Sequence, residues 1–230
     1  ARRGRTMAEA ARHVVVVGAG IVGVCSAIEL RRRGMRVTLV DQGEPGDACS
    51  FGNAGILAAQ ACVPFALPGV VREVPRMLLD PEGPLVVKWA GLGRTVPWVW
   101  RFVTEARMGK IPARADAMKA LYGTTHELHE ALAREAGVPE LVQGSHYFYL
   151  YKRPEDVDVE TGLAWRLRRE RGATIEVFDG PVIRELEPAV SPVYRRAVRL
   201  GPIGRTTNPF RLTQAYAGLF RQMGGELRKD

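Results

Sequence analysis

Cysteine is scarce in this chain of 230 residues. Cys25, Cys49 and Cys62 stand at no CxxC or metal-ligand spacing, and an odd, scattered set argues against a disulfide framework. Reduced cytosolic thiols are the expectation. Low-complexity tracts and repeats of solenoid period are missing as well, which excludes a repeat architecture. So is an apolar run long enough to cross a bilayer. Residues 14–30 are nearly all apolar and follow a basic start, but the stretch is short, contains Gly18, Gly20 and Gly23, and ends at Glu29. Met7 reads as the native start, with the six residues before it an extension.

What remains is ordinary globular material: 46% hydrophobic and 25% charged residues, enough for a sizeable core. The length falls between one and two domains at ~150 residues each. The net charge of +8 gathers partly in Arg31 to Arg33 and in Arg166, Arg168, Arg169 and Arg171. Clustered cations attract polyanions. Glu170 interrupts the second run, which therefore reads as the wet face of a helix rather than a nucleic-acid surface. No nucleic-acid partner is expected. A peripheral attraction to anionic headgroups at the inner face of a membrane stays open.

His13 to Val17 is a short β-branched run suited to a fully buried parallel strand. Ile21 to Arg33 reads as a helix closing at Gly34, and Met35 to Val40 as a second strand ending in Asp41. Strand, turn, helix and strand within thirty residues make half of a doubly wound sheet. Residues 45–70 form an irregular Gly/Pro/Ala-rich loop, long enough to carry function. From Val71 to Gly137 the pattern is helical, and Ala115 to Ala136 reads as one long amphipathic helix through Met118, Leu121, Leu128 and Leu132. A strand over His146 to Tyr151, a helix over Val157 to Arg171, a strand over Thr174 to Phe178 and a short helix over Pro181 to Glu187 follow. Asn208-Pro209 opens a helix that runs to Met223 and stops at Gly224-Gly225. Glu226 to Asp230 opens a further strand.

The strongest signal is Gly18-Ala19-Gly20-Ile21-Val22-Gly23, because it lies between a strand and a helix and is followed by Asp41. Gly18 permits the sharp turn out of the strand, Gly20 lets backbone approach a pyrophosphate, and Gly23 lets helix pack closely on strand. The helix start offers unpaired N–H groups and partial positive charge to phosphates. Asp41 can accept from ribose hydroxyls. The fingerprint serves FAD and NAD alike. Cys49-Ser50-Phe51-Gly52-Asn53-Ala54-Gly55 supplies a second loop of small side chains, which the longer FAD molecule needs.

The chain resembles the D-amino-acid dehydrogenase branch of the D-amino-acid oxidase-like, FAD-dependent oxidoreductases. VVVVGAGIVGVCSAIEL and SFGNAGIL carry the superfamily likeness. LLDPEGPLVVKWAGL, PWVWRF and IRELEPAVSP favour the branch. The resemblance implies an α/β fold: a Rossmann-type FAD-binding domain with an incomplete parallel sheet, and an inserted α+β substrate or cap domain. The boundaries are 12–64 for the first part of the FAD domain, 65–204 for the cap, and 205–230 for the return. It implies FAD contacts from Gly18, Ala19, Gly20, Ile21, Val22, Gly23, Asp41 and Gln42, and from Ser50, Asn53, Ala54 and Gly55. The implied activity is oxidative deamination of an amino-acid substrate, with a hydride leaving the amine-bearing carbon for FAD and the imine hydrolysed to keto acid and ammonia. A quinone or other electron carrier would take the electrons. A glycine or sarcosine oxidase-like enzyme, an NAD-dependent dehydrogenase and a non-catalytic nucleotide-binding remnant are the rival readings. Such proteins continue well beyond this length, so the chain is expected to be an N-terminal part, inactive alone, whose catalytic residues lie elsewhere.

Other residues invite weaker readings. His126 and His129 stand three apart on a helix and read as a solvated face rather than metal ligands. Tyr147, Tyr149 and Tyr151 share a strand face that either lines a substrate cavity or packs a sheet. Trp89, Trp98 and Trp100 read as helix packing rather than flavin stacking.

Overall fold

The computed structural model describes residues 12–69, 74, 77, 79 and 92–229. The stretch around LLDPEGPLVVKWAGL, including Trp89, and the basic start with Met7 lie outside the described residues, apart from Leu79, Leu92 and Arg12 at their edges.

Two compact units emerge. Unit 1 comprises residues 1–57, 125–145 and 203–230; unit 2 comprises residues 58–124 and 146–202. Unit 1 is built on a parallel sheet of β1 (His13–Val17), β2 (Arg36–Asp41) and β7 (Glu226–Lys229), in the order β1-β2-β7. Val14 pairs with Val37 and Val16 with Leu39, while Leu39 pairs on its other side with Leu227. Helix α1 (Ile21–Arg32) connects β1 to β2, and α7 (Pro209–Gln222) precedes β7. A parallel pair needs such a crossover. The core between them joins Val24, Ala27 and Ile28 of α1, Val37 and Leu39 of β2, and Leu212, Tyr216 and Phe220 of α7. Asn208 begins α7 as its sequence suggests, its Oδ1 accepting from the Arg211 N–H at 2.9 Å. β1 departs from expectation. Val15 and Val17 are exposed, because β1 is the sheet edge and is covered on one face only among the described residues.

Of the arginines at the end of α1, Arg31 is structural, while Arg32 and Arg33 are exposed. Arg31 donates to the carbonyls of Met35 and Met223, closing α7 against α1, and Arg32 pairs with Glu29 and Glu135.

The helix expected over Ala115 to Ala136 is two helices, α3 (Ile111–Tyr122) and α4 (Thr125–Glu135), separated at Gly123. Leu132 is buried in the core of unit 1, but Leu121 and Leu128 are exposed, so the apolar stripe does not run through. Strand β6 (Arg196–Thr206), with 11 residues, was not anticipated. Its start and middle pair antiparallel with β5 (Thr174–Asp179) in unit 2, and its end with β3 (Ile56–Leu57) in unit 1. β4 (Val142–Tyr151) also neighbours β6. In unit 2, helix α5 covers only Leu163–Glu170 of the span expected from Val157. Asp158 takes the N–H and hydroxyl of Thr161, an Asx-type turn that competes with helix over those residues. Unit 2 also holds the helices α2 (Leu92–Glu105) and the one-turn α6 (Val182–Leu186).

Candidate functional site

Gly18 leaves β1 with φ of +102°, a conformation that L side chains rarely adopt. Its amide donates to the Val40 carbonyl at 2.8 Å, fixing the turn against β2. Gly23 then lies directly over that turn: a Cβ there would stand 1.8 Å from the Gly18 carbonyl oxygen. Only hydrogen fits. Gly20 caps α1 in an extended conformation with no side chain to satisfy the helix start. The amides of Gly20, Val22 and Gly23 have no hydrogen-bond partner among the described residues. Unpaired N–H groups and the helix dipole make this tip locally positive.

Two side chains reach the same loop. Asp41, at the end of β2, accepts from the Ala19 N–H at 2.6 Å and from the Gly43 N–H at 3.0 Å. Those amides, Ala19 first, hold its carboxyl below the ordinary range, so it is an ionised acceptor with lone pairs to spare. Buried Ser50 accepts from the Ile21 N–H at 2.9 Å. Its own O–H has no acceptor among the described residues. Asn53 is spent locally: Oδ1 accepts from the Gly55 N–H at 2.8 Å and Nδ2 donates to the Cys49 carbonyl at 3.0 Å. Val22, Gln42 and Ala54 are exposed.

Ile21, Ser50, Asn53 and Gly55 line one cavity of about 140 Å³, together with His129 and Thr206. Neither of the last two was a candidate, since nothing in the sequence links α4 or the end of β6 to the glycine loop. His129 is not on a solvated face. Its ring lies parallel to that of fully buried Tyr216, with centroids 5.8 Å apart. The Tyr216 hydroxyl donates to the His129 carbonyl at 2.9 Å and lies 3.2 Å from Nδ1. With that proton committed, Nδ1 carries hydrogen in the neutral ring and Nε2 is the acceptor. The His126 ring stands against Gly204, and its buried Nδ1 has no partner among the described residues. No three His, Cys, Asp or Glu among those residues are grouped to hold a metal ion.

Burial, and next His126, lower the pKa of His129 from its ordinary 6.5. A base that is harder to protonate in the folded chain stabilises the fold fully above 6.5, and that contribution drains away as pH falls below it. Thermal melts taken between roughly pH 7 and roughly pH 5 should therefore show falling stability, and His129→Asn should flatten the slope. An unchanged slope would assign the acid sensitivity to another group. The window of Asp41 lies lower, below its ordinary 3.8.

Tyr147, Tyr149 and Tyr151 pack on a core of Val159, Trp165, Val198 and Leu200. Arg168 of the basic run lies over Tyr149 and Trp165, 5.4 and 5.0 Å from the ring centroids, and donates to the Tyr149 hydroxyl at 3.1 Å. Arg171 is nearly buried and pairs with Asp116 at 2.7 Å. Half of that run is thus packing; Arg166 and Arg169 are the exposed half.

Comparison with known proteins agrees with this geometry. The chain is 39% identical over 222 residues to a D-amino-acid oxidase of Bradyrhizobium diazoefficiens, covering 94% of this chain and 52% of that protein. It is 28% identical to a D-amino acid dehydrogenase of Sinorhizobium medicae, covering 92% and 51%. The chain therefore spans about half the length of these relatives. Among solved structures, glycine oxidase from Geobacillus kaustophilus superposes with a TM-score of 0.59 at 19% identity, covering 95% of this chain and 47% of that one, a likeness of fold. The sequence pattern of the FAD dependent oxidoreductase family matches residues 13–230. A mixed α/β chain with a Rossmann-type glycine turn and that match across nearly its whole length belongs to the family of FAD-dependent oxidoreductases.

Proposed function

We propose that this chain holds the ADP portion of FAD and forms the first part of an enzyme that oxidatively deaminates D-amino acids. The observation that carries the reading is the turn at Gly18 to Gly23, with three unpaired amides at one helix tip and an ionised carboxylate beside them. It suits the group. The absent Cβ at Gly23 keeps the helix tip against the strand end. Asp41 already bonds two amides, and its remaining lone pairs suit ribose hydroxyls. Ser50 accepts from Ile21, so its O–H is left to donate to a phosphate oxygen. On this reading Gly18, Ala19, Gly20, Ile21, Val22 and Gly23 surround the pyrophosphate, Gln42 adjoins the ribose, and Ser50, Asn53, Ala54 and Gly55 follow the ribityl chain towards the flavin. Bound FAD supplies the two-electron acceptor for the amine-bearing carbon. The residues of this chain bind, orient and exclude water.

The D-amino-acid preference draws on the 39% identical relative, and a quinone or other carrier is the proposed electron acceptor. Titrating FAD into the chain should quench flavin fluorescence with saturation, and NADH should not compete. In the full-length polypeptide under anaerobic conditions, D-alanine should bleach the bound flavin and sarcosine should not. Bleaching by sarcosine alone would favour the glycine oxidase-like reading. Saturable FAD binding with no bleaching by any amine would leave a nucleotide-binding remnant.

A further inference from the structure

Helix α2 of unit 2 presents an apolar side that nothing among the described residues covers. Val96, Val99, Trp100 and Val103 recur at the spacing of one helix face. Val96 is 53%, Trp98 63% and Trp100 70% exposed. Arg94 and Arg101, seven residues apart, share the opposite side. Trp98 stands between that side and Phe102, on whose ring it stacks at 5.3 Å. Buried large side chains normally explain a helix with such a face, yet positions 93–101 are all exposed. Packing of this helix against others, expected from its tryptophans, is therefore not what Trp98 and Trp100 do.

Charge selects the occupant. Residues 92–114 hold Arg94, Arg101, Arg107, Lys110 and Arg114 against a single carboxylate, Glu105, which Lys110 and Arg114 already neutralise. Arg94, Arg101 and Arg107 have no carboxylate partner among the described residues. Exposed Met108 extends the apolar strip past the helix end. An acidic protein surface would match the arginines but would leave the valines and indoles uncovered. A lipid interface meets both, with acyl chains under the apolar side and anionic headgroups at the guanidinium level. Indoles are at home at that depth. No helix among the described residues is long and apolar enough to cross a membrane, and at 14 residues α2 suits lying flat.

We infer that α2 is a membrane-docking helix, seating Val96, Val99 and Trp100 in the interface of an anionic bilayer, with Trp98 on the flank at the headgroup level. The inference stands apart from the flavin reading and holds whether or not FAD is bound. The test uses the purified chain with vesicles of phosphatidylcholine alone and of phosphatidylcholine mixed with phosphatidylglycerol. The mixed vesicles should sediment the chain, shift tryptophan emission to the blue, and quench it when the lipid tails are brominated. Joint replacement Trp98→Ser and Trp100→Ser should lower partitioning by about tenfold or more without moving the melting temperature, since both residues are exposed. Arg94→Gln with Arg101→Gln should remove most of the preference for the anionic vesicles. A chain that stays in the supernatant overturns the inference, as does one bound but unquenched by brominated lipid. So does a concentration-dependent dimer, broken by the tryptophan replacements, in a chain that ignores vesicles.

Discussion

Replacing Gly23 by alanine should cost the chain about 3 kcal/mol or more of stability and abolish saturable FAD binding over the range in which the parent chain saturates. The added Cβ would stand 1.8 Å from the Gly18 carbonyl oxygen and 3.0 Å from its carbon. Both obstacles are backbone, held by the Gly18 N–H bond to Val40, so no rotamer change relieves the overlap. Either α1 lifts from the strand or the Gly18 turn opens, and each moves the three unpaired amides away from one another. Gly218→Ala is the matched control: it lies inside α7, and a Cβ there meets nothing within 4 Å. That change should raise stability by roughly 0.5 kcal/mol, because alanine is the better helix former. Urea unfolding and flavin fluorescence on the pair separate strain at the loop from a general intolerance of larger residues.

Tyr216→Ala should lower stability by about 4 kcal/mol, a loss large enough to threaten folding of a marginally stable domain. Tyr216 is fully buried in α7 and packs in the core with Ile28, Leu39 and Phe220. Tyr216→Phe keeps the volume and removes only the hydroxyl, which serves both the carbonyl and the Nδ1 of His129. A loss of about 1–2 kcal/mol is expected there, the cost of the hydroxyl's bonds to that carbonyl and ring nitrogen. Equal losses for the two variants, measured by urea unfolding, would mean that the hydroxyl and not the ring holds α4 to α7.

Residues 13–41 were readable because every local signal agreed. β-branched run, glycine turn, helix with its Gly34 stop and Asp41 all point to one supersecondary unit. The capped start of α7 at Asn208 was readable for the same reason. β6 was not. Gly201, Pro202 and Gly204 interrupt it, and such residues normally end strands. Here two of them serve close approach: His146 lies against Gly201 and His126 against Gly204. Periodicity carried the helix reading across Gly123 because the apolar spacing happened to continue into α4. At the site, the glycine turn and the loop from Ser50 to Gly55 were visible as motifs, and the tertiary fold brings four of their residues to one cavity. His129 and Thr206 reach that cavity by chain topology alone, which no local window contains. The basic run misled because an arginine between tryptophan and tyrosine looks, in sequence, like one facing water.

The register of β7 on β2 has a bearing on how the chain comes to fold. Thr38 bonds Glu226 at a sequence separation of 188. The residues of unit 2 end at Pro202, whereas one side of β2 waits for Glu226 to Lys229. Closing so long a loop adds little to the entropic cost at equilibrium, since that cost grows only with the logarithm of length. In time it matters more. Leu39 and Val37 must be kept from other strands until β7 arrives, and contacts this far apart in sequence are the slow ones to form.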